Sequence, residues 1–197
     1  MRRVGIALRL YGMPFEHRPW STFSDADKIR PYNPLTRVPV LVVDNGDVLI
    51  DSHAILDYLD SLVRSDKVLY PQNEPARHQA IKIAALACGL ADRAVSLFYE
   101  KVLHKEVSDT WVARCTSQIV ETLSVLEANR TTRKSTYWFG ENFGHAVIVV
   151  ATVLRHFAEA HPGMVSMADY LALSAHAARM EAMPVFQEIQ QAFIAPA

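Results

Sequence analysis

The segment 33–60 limits the folds open to this chain more than any other stretch. Residues 40–43 and 48–50 are short β-branched runs, and the Asp-Asn-Gly-Asp sequence between them is a strong signal for a tight turn. Apolar residues at helical spacing follow the second run directly. The segment therefore predicts a β-hairpin that leads straight into a helix.

The start of this helix is a candidate anion site. Ser52 stands where an N-cap residue belongs, just before a face predicted to be apolar. The first turn of a helix presents unpaired N–H groups and a partial positive charge. The predicted apolar face consists of Ala54, Ile55, Tyr58, Leu59 and Leu62.

The Val38-Pro39 step marks the other end of the hairpin. Pro39 has no N–H for a strand ladder, and Val38 is driven toward extended geometry with its main-chain groups open to a ligand. An extended small peptide could pair with Val38 while its carboxylate reaches Ser52, and Asp51 would then face its amine. The alternative is a hairpin and helix that bind no ligand.

This arrangement resembles the glutathione site of the glutathione transferase family. The thioredoxin-like domain of that family carries an Asn-Pro loop, a Val-Pro step with a cis proline, a β-hairpin, and an acidic-Ser pair at a helix start. Asp replaces the commoner Glu in this chain. The matching positions are Asn33-Pro34, Val38-Pro39 and Asp51-Ser52.

The resemblance implies that Val38, Pro39, Asp51 and Ser52 bind glutathione as a co-substrate. It adds two further contacts. Arg37 would pair with the glycine carboxylate of glutathione, although a solvated loop arginine is an equal alternative. His53 stands where some relatives have a residue that touches the ligand, and the alternative is no contact.

Composition and charge exclude several classes of protein. The 197 residues are half apolar, and no apolar run approaches the ~20 residues of a membrane span. The formal net charge is −1, and neither half has the basic excess of a nucleic-acid or anionic-membrane binder. No Cys or His cluster has zinc spacing, and there are only two cysteines. We therefore expect a soluble, cytoplasmic protein with no metal, no other cofactor and no nucleic-acid or membrane partner.

The second half of the sequence is helical throughout. A proline-bracketed polar linker at 71–75 separates a domain at 1–70 from one at 76–197. This order again resembles the glutathione transferases, so the expected fold is an α+β thioredoxin-like domain followed by an all-α helical bundle. The predicted helices of the second domain span about 76–105, 109–129, 145–160, 167–182 and 184–194.

The first residues place the chain inside the first helix of such a domain. Val4, Ala7, Leu8 and Tyr11 predict a helix that ends at Gly12, and residues 15–20 predict a strand.

A family member would open with a strand and a loop that holds a catalytic Ser, Cys or Tyr. These would lie before Met1, so the catalytic residue is not identified, and the thioredoxin-like domain is expected to be incomplete. Either Met1 is internal to a protein with about 8–15 more residues, or the short form has lost that group. In both cases we expect a compromised sheet with an exposed edge, because the strand after Gly12 lacks its usual neighbouring strand.

Several residues of the helical half depart from the family or have open roles. Cys88 stands where many members have an Asp that reaches the glutathione of the other subunit. Tyr99 could line the electrophile pocket, and ordinary packing is its alternative. Gly144 and Val147 replace a Ser or Thr cap and an Asp, which predicts a weaker helix start by about 1 kcal/mol. Four histidines are assigned no role: His145, His156, His161 and His176.

The expected activity is conjugation of the glutathione thiolate to a small hydrophobic electrophile, as in detoxification, by a homodimeric glutathione transferase. Arg2 and Arg3 could supply residual stabilisation of the thiolate, with solvated or phosphate-facing helix charges as the alternative. Without its activating group, the chain should conjugate at a rate near background. An isomerase or dehalogenase of the same family, or a non-catalytic binding or regulatory protein, is the alternative function.

Overall fold

The computed structural model describes residues 1–141 and 144–195, and these form two compact units. Unit 1 comprises Met1–Val68 and residues 188–195, and unit 2 comprises the described part of Leu69–Gln187. The sequence places 188–195 in the helical domain instead. Their position in unit 1 follows from two contacts with the first helix: Arg2 Nε donates to Ile189 O at 2.7 Å, and Arg9 pairs with Glu188 at 2.8 Å. The predicted domain limits stay predictions.

Unit 1 contains the predicted hairpin between helices. Its elements are α1 (Arg2–Leu10), α2 (Ala26–Ile29), β1 (Val40–Val42), β2 (Val48–Ile50) and α3 (Ser52–Ser61). The two strands pair antiparallel, with Val40 opposite Ile50 and Val42 opposite Val48. Gly46 has φ +90° in the turn, a conformation that favours glycine. The hairpin prediction is confirmed.

The strand predicted at 15–20 is wrong. The structure gives these residues no secondary structure, and the sheet built by the described residues has two strands. A strand is defined by its ladder of hydrogen bonds, and residues 15–20 have no partner strand among the described residues. The sheet of the described residues is thus reduced to the hairpin, and the exposed edge expected at 15–20 does not form.

Helices α1 and α3 pack together and form the core of unit 1. Ile6 and Ile55 are fully buried, and the Tyr11 hydroxyl donates to Asp60 near the C-terminal ends of both helices. Gly12 follows the end of α1 with φ +68°, as predicted. The predicted α3 face is partly wrong: Leu56 is buried instead of Ala54, and Leu62 is 54% exposed.

Unit 2 is helical in all its described elements apart from one isolated bridge between Tyr137 and Gly140. Helix α4 packs against both α5 and α6, and α7 packs against α5 and α6. No helix within 1–141 and 144–195 is long and apolar enough to cross a membrane. The helices are α4 (Ala76–Leu103), α5 (Asp109–Thr131), α6 (His145–Ala160), α7 (Leu171–Glu181) and α8 (Pro184–Glu188).

The last two helices differ from their predicted lengths. A 3₁₀ turn at Met167–Asp169 precedes α7, which begins at Leu171 because the Glu127 carboxylate on α5 accepts from the N–H groups of Ala172 and Leu173, both at 2.8 Å. Helix α8 ends at Glu188, where the predicted helix continues to 194. The Ile189 carbonyl accepts from Arg2 instead.

The start of α6 has no side-chain cap, as the sequence predicts. The Leu69 carbonyl takes over part of that role, because it accepts from the His145 N–H at 3.0 Å. This carbonyl lies so close that a Cβ on Gly144 would meet Leu69 O at 2.1 Å. Glycine is therefore required here by close approach, and a serine cap cannot simply be restored.

Replacing Gly144 by serine should destabilise the protein, although serine is normally a good N-cap. The new Cβ must displace Leu69 O, at a cost of about 1–3 kcal/mol. Gly89→Ala on α4 is the matched control, because a Cβ there meets nothing within 4 Å and alanine favours a helix by about 0.5–1 kcal/mol. Chemical denaturation should thus give changes of opposite sign. A Gly144→Ser variant more stable than the parent would contradict the packing argument.

His176 is a buried histidine within unit 2. Its side chain is 3% exposed, its Nε2 lies 3.0 Å from Val147 O, and its ring packs edge-on against Trp138. Burial lowers the pKa of His176 from its ordinary value of 6.5 to about 4. The folded protein therefore keeps this ring neutral where the unfolded chain takes up a proton.

The free energy of unfolding should consequently fall as the pH drops from about 6.5 toward 4. Between pH 7 and pH 5, His176 should account for a loss of about 2 kcal/mol. A His176→Gln variant, compared with the parent by urea denaturation at both pH values, should lose about that much less. His17→Gln, at an exposed position, serves as the control and should match the parent. Equal pH dependence in all three proteins would show that His176 does not titrate in this range.

Candidate functional site

The register of the hairpin brings the two ends of segment 33–60 together. Val40 pairs with Ile50; Pro39 directly precedes Val40 in the chain, and Asp51 directly follows Ile50. The chain bends into α3 at this end of the hairpin. The Val-Pro step and the acidic-Ser pair therefore lie at the same end of the hairpin.

The loop before Val38 is held by one buried amide. Asn33 is 2% exposed; its Nδ2 donates to Arg37 O at 2.8 Å, and its Oδ1 accepts from the Leu35 N–H at 3.0 Å. Both halves of the amide are thus used to close the turn. Thr36 lies at φ 52° within it, a conformation uncommon for a β-branched residue. Asn33 thereby sets the direction in which the chain enters the Val-Pro step.

Val38 presents its main chain at the surface. The Val38–Pro39 peptide bond is cis, and Val38 is 38% exposed. Neither its N–H nor its C=O makes a hydrogen bond to any residue that the structure describes. These groups can pair with an extended peptide in the manner of an added strand.

The helix cap is Asp51 and not Ser52, which corrects the sequence prediction by one residue. The Asp51 side chain accepts from the His53 N–H at 2.7 Å, and Ser52 is the first residue of α3. Asp51 has φ 69° and ψ 134°, a region that is costly for a residue with a side chain. The acidic residue is therefore held in a strained conformation beside the helix start.

The first turn of α3 keeps donors open. The N–H groups of Ser52 and Ala54 have no acceptor among the described residues, and Ser52 is half-buried. The Ser52 Oγ accepts a hydrogen bond from Arg3 Nη2 at 2.5 Å. Ser52 thus combines a hydroxyl, a free N–H and the positive end of a helix, which is what an anion requires.

Arg3 is buried in unit 1. It is 5% exposed, so the alternative of a solvated helix charge is wrong for this residue. The signal was present in the sequence: Arg3 precedes Ala7 by four positions and therefore lies on the buried face of α1. Arg2, the other expected charge, is half-buried and bonds Ile189 O.

Three other predicted residues have ordinary surroundings. Arg37 and His53 are exposed, and the structure gives each a main-chain role, as the acceptor for Asn33 and the donor to Asp51. Tyr99 is half-buried on α4, with its ring centroid 6.3 Å from that of Phe98. Their contacts with a ligand remain predictions. Within 1–141 and 144–195, no group of three or more His, Cys, Asp or Glu side chains could hold a metal ion.

Comparison with known proteins connects this geometry to one family. Residues 1–67 match the family model described as glutathione S-transferase, N-terminal domain, and residues 109–179 match that of its C-terminal domain. The crystal structure of a glutathione S-transferase from Methylobacterium radiotolerans, in complex with glutathione sulfonate, has a TM-score of 0.86 and 26% identity, covering 100% of this chain and 93% of that one.

Two curated relatives match over part of their length. The chain is 34% identical to Glutathione S-transferase U6 of Arabidopsis thaliana over 43% of this chain and 38% of that protein. It is 28% identical to a probable maleylacetoacetate isomerase of Caenorhabditis elegans over 71% of this chain and 65% of that protein. The matches thus span less than two thirds of these relatives. With a thioredoxin-like N-terminal domain followed by a helical C-terminal domain, this chain belongs to the glutathione S-transferase family.

Proposed function

We propose that this chain binds glutathione in an extended form at the end of the β1–β2 hairpin. The peptide main chain pairs with Val38, the α-carboxylate of its γ-glutamyl residue meets Ser52 at the start of α3, and Asp51 faces the amine. The observation that carries the proposal is the hairpin register, which puts the Val-Pro step and Asp51-Ser52 at the same end of the hairpin.

Three physical features support glutathione as the ligand. The helix start attracts a carboxylate, the neighbouring Asp51 attracts an ammonium group, and the open main chain of Val38 recognises a peptide. Glutathione presents all three complementary groups in one small molecule, namely the carboxylate and the ammonium group of its γ-glutamyl residue and a peptide main chain. The relative from Methylobacterium radiotolerans was crystallised in complex with glutathione sulfonate, a ligand of the same class, and this is independent support for the proposal.

The proposed reaction is attack of the glutathione thiolate on a small hydrophobic electrophile. A cysteine thiol has a pKa of ~8.5, and lowering it by ~2 units requires about 2.7 kcal/mol of preferential thiolate stabilisation. Isomerisation through the same glutathione site is the second candidate, favoured by the similarity to the probable maleylacetoacetate isomerase. Tyr99 would contact the electrophile, and Arg37 and His53 would contact glutathione.

The proposed working form is a cytoplasmic homodimer. Exposed apolar side chains on the two longest helices support self-association: Ile81 on α4 is 38% exposed, and Val125 on α5 is 51% exposed. Cys88 and Cys115 form no disulfide in the structure, which fits a reducing compartment.

A Ser52→Ala variant tests the proposed carboxylate site. It removes a hydroxyl donor to a charged group, so the affinity for glutathione should fall roughly tenfold or more. Ser61→Ala is the matched control, since Ser61 is an exposed serine at the other end of α3, where its hydroxyl bonds Tyr58 O at 2.6 Å. Isothermal titration of each protein with glutathione measures both changes, and the control should bind as the parent does.

Two results would contradict the proposal. A parent chain that does not bind glutathione would remove the ligand. A Ser52→Ala variant that binds as tightly as the parent and the Ser61→Ala control would remove the assigned carboxylate position.

A further inference from the structure

Arg3 is a buried cation without a carboxylate partner. Its side chain is 5% exposed, and among the described residues no Asp or Glu forms an ion pair with it. Its Nη1 is shielded from solvent and has no hydrogen-bond partner among those described residues. A buried charge with an unused donor is costly to the fold. This cost to the fold is offset where an incoming anion supplies the missing opposite charge.

The Arg3 contact also fixes the orientation of the Ser52 hydroxyl. Arginine has donors only, so the 2.5 Å bond from Arg3 Nη2 occupies a lone pair of Ser52 Oγ. The Ser52 hydrogen must then point elsewhere, and a donor already bonded to a cation is a stronger donor. The hydroxyl is thus prepared to donate to an anion at the start of α3.

The position of Arg3 is set by the core of unit 1. Arg3 lies on the face of α1 that contains the buried Val4 and Ala7, and α1 packs against α3. The guanidinium therefore reaches Ser52 from inside the unit, beneath the helix start. A ligand at the surface would meet the Ser52 hydroxyl first and the Arg3 charge behind it.

We propose that Arg3 is a positioning residue that orients and polarises the Ser52 hydroxyl and provides the countercharge for the α-carboxylate of the γ-glutamyl residue. The proposal rests on the proposed binding of glutathione. It assigns the recognition of this carboxylate to a pair, Arg3 and Ser52, acting in series. It follows that the effect of Arg3 on binding passes mainly through Ser52 and depends on the carboxylate of the ligand.

The test compares two ligands on five proteins and one control variant by isothermal titration. The ligands are glutathione and γ-aminobutyryl-cysteinyl-glycine, which lacks only the α-carboxylate. The proteins are the parent, Arg3→Met, Arg3→Lys, Ser52→Ala and the double variant Arg3→Met/Ser52→Ala. Arg9→Met is the matched control, because Arg9 is on the same helix but is exposed and pairs with Glu188. Thermal unfolding identifies any variant that is not folded, and Arg3→Lys keeps the charge if Arg3→Met fails to fold.

Arg3→Met should weaken glutathione binding about tenfold or more, Arg3→Lys should weaken it less, and Arg9→Met should leave it unchanged. The analogue should bind the parent and the Arg3 variants about equally. In the Ser52→Ala background, Arg3→Met should cost much less than it does alone.

Equal losses for both ligands would mean a merely structural role for Arg3, and no loss for either would mean no role; each overturns the inference while the proposed function stands. A parent that binds neither ligand contradicts the proposed function and removes the inference with it.

Discussion

The antiparallel pairing of β1 with β2 is the interaction on which the candidate site depends. Because side chains alternate across a strand, a slip of one residue would exchange its two faces and move the Val-Pro step away from Asp51-Ser52. The tight turn at Gly46 prevents such a slip by fixing the register. Val38 and Ser52, which are separated by the whole hairpin in the sequence, thereby lie at the same end of it.

The packing of α1 against α3 is a second constraint on the site. This packing carries Arg3 into the interior of unit 1, where its Nη2 bonds Ser52 and its Nη1 has no partner among the described residues. The strained backbone of Asp51 directly precedes the same helix start. Strain and unpaired buried polar groups both reduce stability, and both occur at the helix start where an anion would bind. This coincidence is typical of a functional site.

In unit 2, groups from elsewhere in the chain decide where helices begin. Glu127 on α5 caps α7, and the Leu69 carbonyl occupies the space over the start of α6 that a Gly144 side chain would need. These contacts explain why a missing cap residue at Gly144 is compatible with a full-length α6. They also explain the break before α7, for which a local helical pattern carries no signal.

The sequence by itself determined the hairpin, the end of α1 at Gly12 and the limits of α6, since turn residues and apolar periodicity act locally. It also identified Val38-Pro39 and Asp51-Ser52 as the candidate site. Only the tertiary structure decided that Asp51 is the cap, that residues 15–20 form no strand, and that Arg3 is buried against Ser52. Each of these depends on a partner distant in the chain, and a local pattern does not contain its partner's position.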